Sequence, residues 1–306
     1  MKLSSVLALA CLALPLGTAS AQSNTVTAQG FTIGDQGLKY ATITEGGVHP
    51  SIIALESIQN GDVQIVPGNP KSPIVHLEAS SIGSGSADYG TLGGSVTTQV
   101  RNQAKFNNFY TPQAEGILKM SFLDSGVVTS KTLVVGAPVT LNFVSSLASD
   151  FFTSGDRTTG KNGAGIEFEG FAQDQTTQLK GGGVILNGVS GATPPTLLFT
   201  LNTAVGRTVT LSGLLTVAAG SYIDGLPDAA GGDVLATSSA LAAHTAHFYF
   251  QPNADLSLVT ASGHDYSVPT VPETATTVSF GLLLMLGVGG IVVSGRRRKR
   301  ISEKVD

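Results

Sequence analysis

The chain has 306 residues, a formal net charge of −4 and one cysteine, Cys11. From Gln22 to Pro272, ten Lys and Arg stand against eighteen Asp and Glu, which gives this stretch a net charge of −8. It offers no basic patch to neutralise phosphates, and this argues against a nucleic-acid partner. Because it also lacks cysteine, it has no disulfide framework, cysteine nucleophile or thiolate metal site.

The first predicted element is a secretory signal peptide over residues 1–21. Lys2 precedes a short apolar run, Val6–Leu16, and small residues follow at Ala19 and Ala21. A positive start, a short apolar core and an Ala-x-Ala end are typical of a signal that is cleaved after its last alanine. The apolar core is too short for an ordinary transmembrane helix. The sequence therefore predicts export through the secretion translocon.

Residues 22–270 are predicted to form an all-β extracellular domain. In the run 207–212, Val209 and Leu211 share one face of a strand, while Thr208 and Thr210 share the other. Many short runs of this kind, separated by Gly-rich turns, favour a β-sandwich or jelly roll, with a parallel β-helix as the alternative. The other runs are Leu38–Ile43, Pro73–Glu78, Ile117–Phe122, Pro138–Val144, Ile166–Phe171 and His247–Phe250.

Turns and loops are predicted from local composition. Asn60-Gly61 and Asn187-Gly188 are candidates for hairpin turns that need positive φ at both central residues. Two polar, glycine-rich stretches, Ser149–Gly165 and Ser221–Gly232, are predicted to be long loops. Loops carry binding residues more often than the scaffold does, although most loops are plain connections.

One carboxylate pair could suggest catalysis. Glu167 and Glu169 alternate with Ile166 and Phe168, so both carboxylates are expected on one face of a strand. A glycosidase uses two carboxyl groups that flank one bond. Two glutamates on the solvent side of an amphipathic strand is the simpler interpretation. Nucleophile-elbow, phosphate-loop and H-E-x-x-H motifs are not found, so the protein is predicted not to be an enzyme.

The histidines and aspartates do not form a metal-ligand pattern. His244 and His247 would share a face on a helix, but their neighbours favour a strand, where an odd separation points them to opposite faces. Asp224, Asp228 and Asp233 lack the alternating oxygen ligands and the closing Glu of a calcium-binding loop. The sequence predicts neither a metal site nor a cofactor.

The C-terminal segment has three parts. A Val271-Pro272-Glu273-Thr274 motif is followed by the uncharged run Val278–Gly295 and then by Arg296-Arg297-Arg298-Lys299-Arg300. At about 1.5 Å per residue, the run spans roughly 27 Å as a helix, enough for one bilayer crossing. The basic cluster is expected on the cytoplasmic side, with residues 301–306 as a cytoplasmic tail and the body outside. A plain single-pass anchor that is never cut is one interpretation.

This layout resembles the bacterial PEP-CTERM protein-sorting signal over about thirty residues, 271–300. Such signals usually read V-P-E-P and often continue with Ala-Thr; here Thr274 replaces the second proline, and Ala275-Thr276 follow. The resemblance implies a Gram-negative-type bacterium, transient anchoring in the inner membrane, and an exosortase that removes the helix. Val271, Pro272, Glu273 and Thr274 would be recognition residues in this substrate, and the basic cluster would stop transfer through the membrane.

The expected function is that of a non-catalytic cell-surface or extracellular-matrix protein, structural or adhesive in a biofilm or exopolysaccharide layer. A secreted carbohydrate-binding or glycan-hydrolysing protein is one alternative. A sortase-anchored surface protein is another, since the motif differs from Leu-Pro-x-Thr-Gly only at Val271 and Ala275. Ice binding would need regular ranks of Thr-x-Thr, and the sequence shows only scattered instances.

Overall fold

The computed structural model describes residues 23–34, 37–47, 49–64, 74–102, 113–155, 160–187, 196–223, 234–251, 253 and 255–267. All regular secondary structure in these ranges is β-strand, which confirms the predicted all-β class. The strands are β1 (Ser23–Gly34), β2 (Gly37–Gly47), β3 (Ser51–Gln64), β4 (Ile74–Asp88), β5 (Thr91–Asn102), β6 (Gln113–Ser130), β7 (Pro138–Leu147), β8 (Asp150–Gly155), β9 (Gly160–Asp174), β10 (Lys180–Asn187), β11 (Thr196–Ala204), β12 (Thr208–Ile223), β13 (Val234–Gln251) and β14 (Leu256–Thr260).

The strands form two seven-stranded sheets. The first has the order β10-β9-β12-β6-β1-β2, with β14 beside β6, and the second has the order β11-β7-β13-β5-β4-β3, with β8 beside β13. Every pairing between the described strands is antiparallel. The alternative of a parallel β-helix is therefore wrong for this part of the chain, because a β-helix stacks parallel strands.

The two sheets lie face to face. Along β6 and β12 the side chains alternate between buried and half-buried, so each strand turns one face inward. Strand β12 lies against β5 and β13 of the other sheet, and β1 lies against β3 and β4. The core is thus formed between two layers whose inward residues come from both sheets.

The predicted hairpin turn at Asn60-Gly61 is wrong. Asn60-Gly61 lies inside β3, where the two residues pair with Glu78 and Leu77 of β4. The continuous ladder between β3 and β4 outweighs the local turn preference of an Asn-Gly pair. Asn187 is the last residue of β10, and Gly188 lies outside the described residues.

The predicted loop Ser149–Gly165 is also largely strand, because it contains β8 and the start of β9. Strand β8 pairs with β13, and β9 pairs with β12. Backbone hydrogen bonds to these neighbours keep a polar, glycine-rich sequence extended. In the second predicted loop, Ser221–Gly232, the first three residues belong to β12, and residues 224–232 lie outside the described part.

Aromatic side chains fill one half of the space between the sheets. The rings of Phe122, Phe143, Phe248 and Tyr266 form a continuous cluster, with ring centroids 5.5 to 6.1 Å apart for neighbouring pairs. All four side chains are almost completely buried. Such pairs contribute about 0.5–1.5 kcal/mol beyond the burial of their apolar area.

A row of glycines makes room for this cluster. Gly183, Gly170 and Gly213 stand side by side on β10, β9 and β12, and Gly213 pairs on its other side with Phe122 of β6. A Cβ atom at Gly213 would collide with the ring of Phe122, and one at Gly170 would collide with Phe248. The bare backbone at Gly213 and Gly170 therefore leaves room for the rings of Phe122 and Phe248.

A second glycine pair receives side chains from the opposite sheet. Gly85 of β4 and Gly94 of β5 are directly paired in the second sheet. A Cβ atom at either position would collide with the side chains of Leu118 and Met120, which reach across from β6 and are completely buried. This pair fixes how closely β6 approaches β4 and β5.

We expect Gly94→Ala to lower the free energy of unfolding by about 1–3 kcal/mol, because overpacking forces Leu118 and Met120 out of position. Gly163→Ala is the matched control, since nothing lies within 4 Å of its added methyl group. Urea unfolding followed by circular dichroism measures both. Equal stability of the two variants would contradict the proposed fit between Gly94 and its two neighbours.

Candidate functional site

Among the residues that the structure describes, two aspartates are completely buried: Asp124 of β6 and Asp174 at the end of β9. A buried carboxylate is costly unless it is paired or hydrogen-bonded. Buried carboxylates are therefore the first candidates for a chemical site. Each of the two is surrounded by a different set of partners.

Asp174 is held by neutral and charged donors. Its Oδ1 accepts the backbone N–H groups of Thr176 and Thr177 at 2.7 and 2.9 Å. Its Oδ2 accepts the Thr203 hydroxyl at 2.6 Å and the Arg207 guanidinium at 3.1 Å. Burial alone raises the pKa of Asp174, but these four hydrogen bonds outweigh burial and lower the pKa to about 2.

The Asp174 cluster ties both sheets together at one end. Asp174 is the last residue of β9 in the first sheet, while Thr203 belongs to β11 of the second. Gln178 completes the turn after β9 with a positive φ of 61°, and its N–H donates to the Asp174 carbonyl at 2.8 Å. With both carboxylate oxygens occupied and a strongly lowered pKa, Asp174 is suited to structure and unsuited to proton transfer at neutral pH.

A shallow cleft of about 410 Å³ lies beside this cluster. Thr140, Asn202, Thr203 and Arg207 contribute polar atoms to its lining. The Thr140 hydroxyl already donates to Asn202 Oδ1 at 2.8 Å, and Arg207 is already paired with Asp174. The Thr140 and Thr203 hydroxyls, Asn202 Oδ1 and one Arg207 nitrogen are thus already engaged in hydrogen bonds within or beside the cleft.

Asp124 joins β6 to the last described segment of the chain. Its Oδ1 accepts the N–H groups of Ser125 and Ser262 at 2.8 and 3.3 Å, and its Oδ2 accepts the Ser262 hydroxyl at 2.5 Å. The Ser262 hydroxyl in turn accepts the N–H of His264 at 3.1 Å. This network holds the segment after β14 against the core.

Two ionisable rings lie beside Asp124. His264 and Tyr266 meet edge to face with centroids 4.6 Å apart. Burial lowers the pKa of His264, although nearby carboxylates oppose the change, so the imidazole is neutral at pH 7. Burial also raises the pKa of Tyr266 well above its ordinary value, and Asp124 raises it further. The Tyr266 hydroxyl makes no hydrogen bond of regular geometry with the described residues.

Gly90 permits this packing. It occupies the turn between β4 and β5 with a φ of 73°, a conformation that favours glycine. A Cβ atom there would press on the Phe248 carbonyl oxygen at 2.9 Å and on the rings of His264 and Tyr266 at 3.2 Å. The His264 and Tyr266 rings pack against the bare backbone of Gly90. The groups of this cluster hold the segment after β14 against the body.

The predicted carboxylate pair lies on the outer face of the first sheet. Glu167 and Glu169 are both half-buried, while Ile166 and Phe168 point into the core, as the alternation predicts. Burial raises the pKa of Glu167, the charge of Glu169 raises it further, and Lys119 lowers it. Lys119 stands two strands away, with only Thr216 between it and Glu167.

The predicted sorting and processing residues lie outside the described residues. These are Ala19, Ala21, Val271, Pro272, Glu273, Thr274, Arg296, Arg297, Arg298, Lys299 and Arg300, together with the apolar run Val278–Gly295. Within the described ranges no helix is long and apolar enough to cross a membrane. The same ranges contain no group of three or more His, Cys, Asp or Glu side chains that could hold a metal ion.

Sequence reasoning missed the buried aspartates. Asp124 falls at an inward position of β6, between the inward residues Phe122 and Val128, and this break in an apolar face is a usable signal. Asp174 is followed by Thr176 and Thr177, a pattern typical of a side chain that caps its own turn. Neither signal identifies Thr203, Arg207 or Ser262 as partners, because these residues are distant in sequence.

No protein-family model matches the chain, and neither a curated protein nor a solved structure matches it.

We expect acid to destabilise the fold through Asp174. Its pKa is lowered on folding, so its contribution of about 2 kcal/mol is present above pH 4 and is lost as the pH falls toward 2. Asp174→Asn should lose about that much stability at pH 7 and show a weaker dependence on acid. Urea unfolding of the natural chain and of Asp174→Asn, measured across this pH range, tests this expectation.

Asp150→Asn is the control, because it removes an exposed carboxylate from β8. It should keep the stability and the acid response of the natural chain. An unchanged acid response in Asp174→Asn would show that Asp174 is not held by its four donors as described.

Proposed function

We propose that the chain is an exported, non-catalytic surface or matrix protein whose C-terminal signal is processed by an exosortase. The observation that carries this proposal is the order of parts in residues 271–300: a Pro-Glu motif, an uncharged run long enough to cross a bilayer, and five consecutive basic residues. The predicted signal peptide at residues 1–21 supports it from the other end of the chain.

The arrangement of the described strands supports a β-sandwich as the exported body. The two antiparallel sheets bury a shared core without any cysteine, and this suits a body that needs no oxidative folding step. Its buried carboxylates are occupied by structural hydrogen bonds. A rigid, acidic body of this kind suits a structural or adhesive role in a hydrated polysaccharide layer, where its charge keeps it soluble.

The packing of Tyr266 shows that the body extends at least as far as Ser267, which agrees with the proposed domain 22–270. Tyr266 is buried in the aromatic cluster, and its carbonyl oxygen accepts the N–H of Phe250 at 2.8 Å. Ser267 is therefore tied to the body, and Val271 follows four positions later. Within the proposed motif, Pro272 lacks a backbone N–H donor and favours an extended segment that an enzyme can bind.

Processing gives a direct test. We expect the protein recovered from the cell surface and medium of its native host to begin at Gln22 and end close to Pro272, as measured by intact mass. Pro272→Ala and Glu273→Gln should leave the tail uncut, because they remove the proposed recognition groups. Thr274→Pro should be processed at least as well as the natural chain, since it restores the usual motif.

Glu45→Gln is the matched control, because it removes one exposed carboxylate from β2 of the body. It should be processed normally. The sorting proposal would be contradicted if the natural chain were found only in the inner membrane and intact through Asp306. The protein would then be a single-pass membrane protein with an exported β-domain.

The matrix role has a separate test. The processed protein should sediment with exopolysaccharide purified from its host and should stay in the supernatant when the polysaccharide is digested first. A processed protein that remains fully soluble with intact polysaccharide would contradict a structural or adhesive role in that matrix, without bearing on the sorting signal.

A further inference from the structure

The connection between β6 and β7 exposes three consecutive apolar side chains, which we call the apolar tip (Leu133–Val135). Leu133 is 44% exposed, Val134 is 76% exposed and Val135 is 81% exposed. Single exposed apolar residues are ordinary on protein surfaces. A run of three at the end of a turn is unusual, since turns in water are generally polar, and such a run indicates a surface that meets something apolar.

Backbone hydrogen bonds hold the apolar tip in this shape. The Ser130 hydroxyl accepts the N–H groups of Thr132 and Leu133 at 3.2 and 2.9 Å. Across the turn, the Ala137 N–H donates to the Val134 carbonyl at 3.1 Å, and the Gly136 N–H donates to the Val205 carbonyl at 2.8 Å. The valines are therefore presented outward by a fixed backbone and do not fold back onto the body.

The last described segment lies against the end of β13, which pairs with β7, the strand that follows the apolar tip. Tyr266 is bonded to Phe250, next to the last residue of β13, and Phe250 pairs with Phe143 of β7. Pro138, the first residue of β7, comes shortly after the apolar tip. The five residues from Phe143 back to Pro138 span about 17 Å along the strand.

The length of chain beyond Ser267 allows this end to reach a membrane. Residues 268–277 separate Ser267 from the apolar run that begins at Val278. Ten residues extend at most about 33–36 Å. This exceeds the roughly 17 Å along β7 between Pro138 and the level of Phe143, near which Tyr266 is held. The body can therefore stand with the apolar tip on the bilayer while the tail crosses it.

We propose that Leu133, Val134 and Val135 insert into the outer interface of the membrane that holds the tail, so that the anchored precursor rests on its β6–β7 end. This inference depends on the proposed function, because it takes residues 278–295 to span that membrane. The exposed Lys131 beside the apolar tip suits anionic lipid headgroups. Docked in this way, the body would keep Pro272 and Glu273 close to the bilayer surface, where a membrane-embedded enzyme can reach them.

Because Cys11 is the single cysteine of the sequence, its replacement allows one fluorophore to be attached at one chosen position. The full chain carrying Cys11→Ser is reconstituted in vesicles of phosphatidylcholine and phosphatidylglycerol, with one environment-sensitive fluorophore on a single introduced cysteine. The three positions are Val134→Cys in the apolar tip, Leu198→Cys as a control and Met285→Cys in the tail. Leu198 is a fair control, because it is 66% exposed and lies six positions before the end of β11 at Ala204.

The expected result is a shift of the Val134→Cys emission to shorter wavelength, with quenching by nitroxide-labelled lipids, and neither effect at Leu198→Cys. Adding Val135→Asp to the Val134→Cys chain should abolish both effects, and circular dichroism should show an unchanged fold. Val134→Cys emission equal to that of Leu198→Cys, with Met285→Cys quenched, would overturn the inference while leaving the membrane anchor intact. A Met285→Cys chain without quenching would overturn the proposed anchor itself, and the docking of the apolar tip with it.

Discussion

The structure depends on how large side chains fit between two sheets. Rings such as Phe122 and Phe248 can lie between the layers only because Gly213 and Gly170 present bare backbone to them. Any other residue in this row would push the rings away or force the sheets apart. The same fit sets which strands face each other, since Phe122 comes from the first sheet and Phe248 from the second.

Buried polar groups close the sheets around this core. Asp174 joins the turn after β9 to Thr203 of the opposite sheet, and Asp124 binds Ser262 in the segment that follows β14. Both carboxylates are satisfied by several donors, which offsets the cost of removing them from water. At the other end of the interior, Thr98 and Ser221 share a hydrogen bond of 2.9 Å between the sheets. The polar interior therefore serves the fold.

The features that bear on function are therefore the surface of the body and the two terminal segments of the chain. In the described body, the buried carboxylates are bound by backbone N–H groups and side chains of the same chain. The C-terminal segment, in contrast, has an order of parts suited to sorting. The proposed docking of the apolar tip would link the two, because β7, which follows the tip, pairs with the end of β13 beside the last described segment. If that docking and the sorting proposal both hold, the body would be oriented on the membrane before its release.

The sequence by itself determined the all-β class, because alternation such as Val209 and Leu211 against Thr208 and Thr210 is a local property of a strand. It also carried the entire sorting prediction, which depends on contiguous residues. Only the tertiary structure decided that Asn60-Gly61 belongs to a strand, that Gly94 receives Leu118, and that Asp174 meets Arg207. These outcomes depend on partners far away in the chain, and local preference carries no information about a partner until the sheets are assembled.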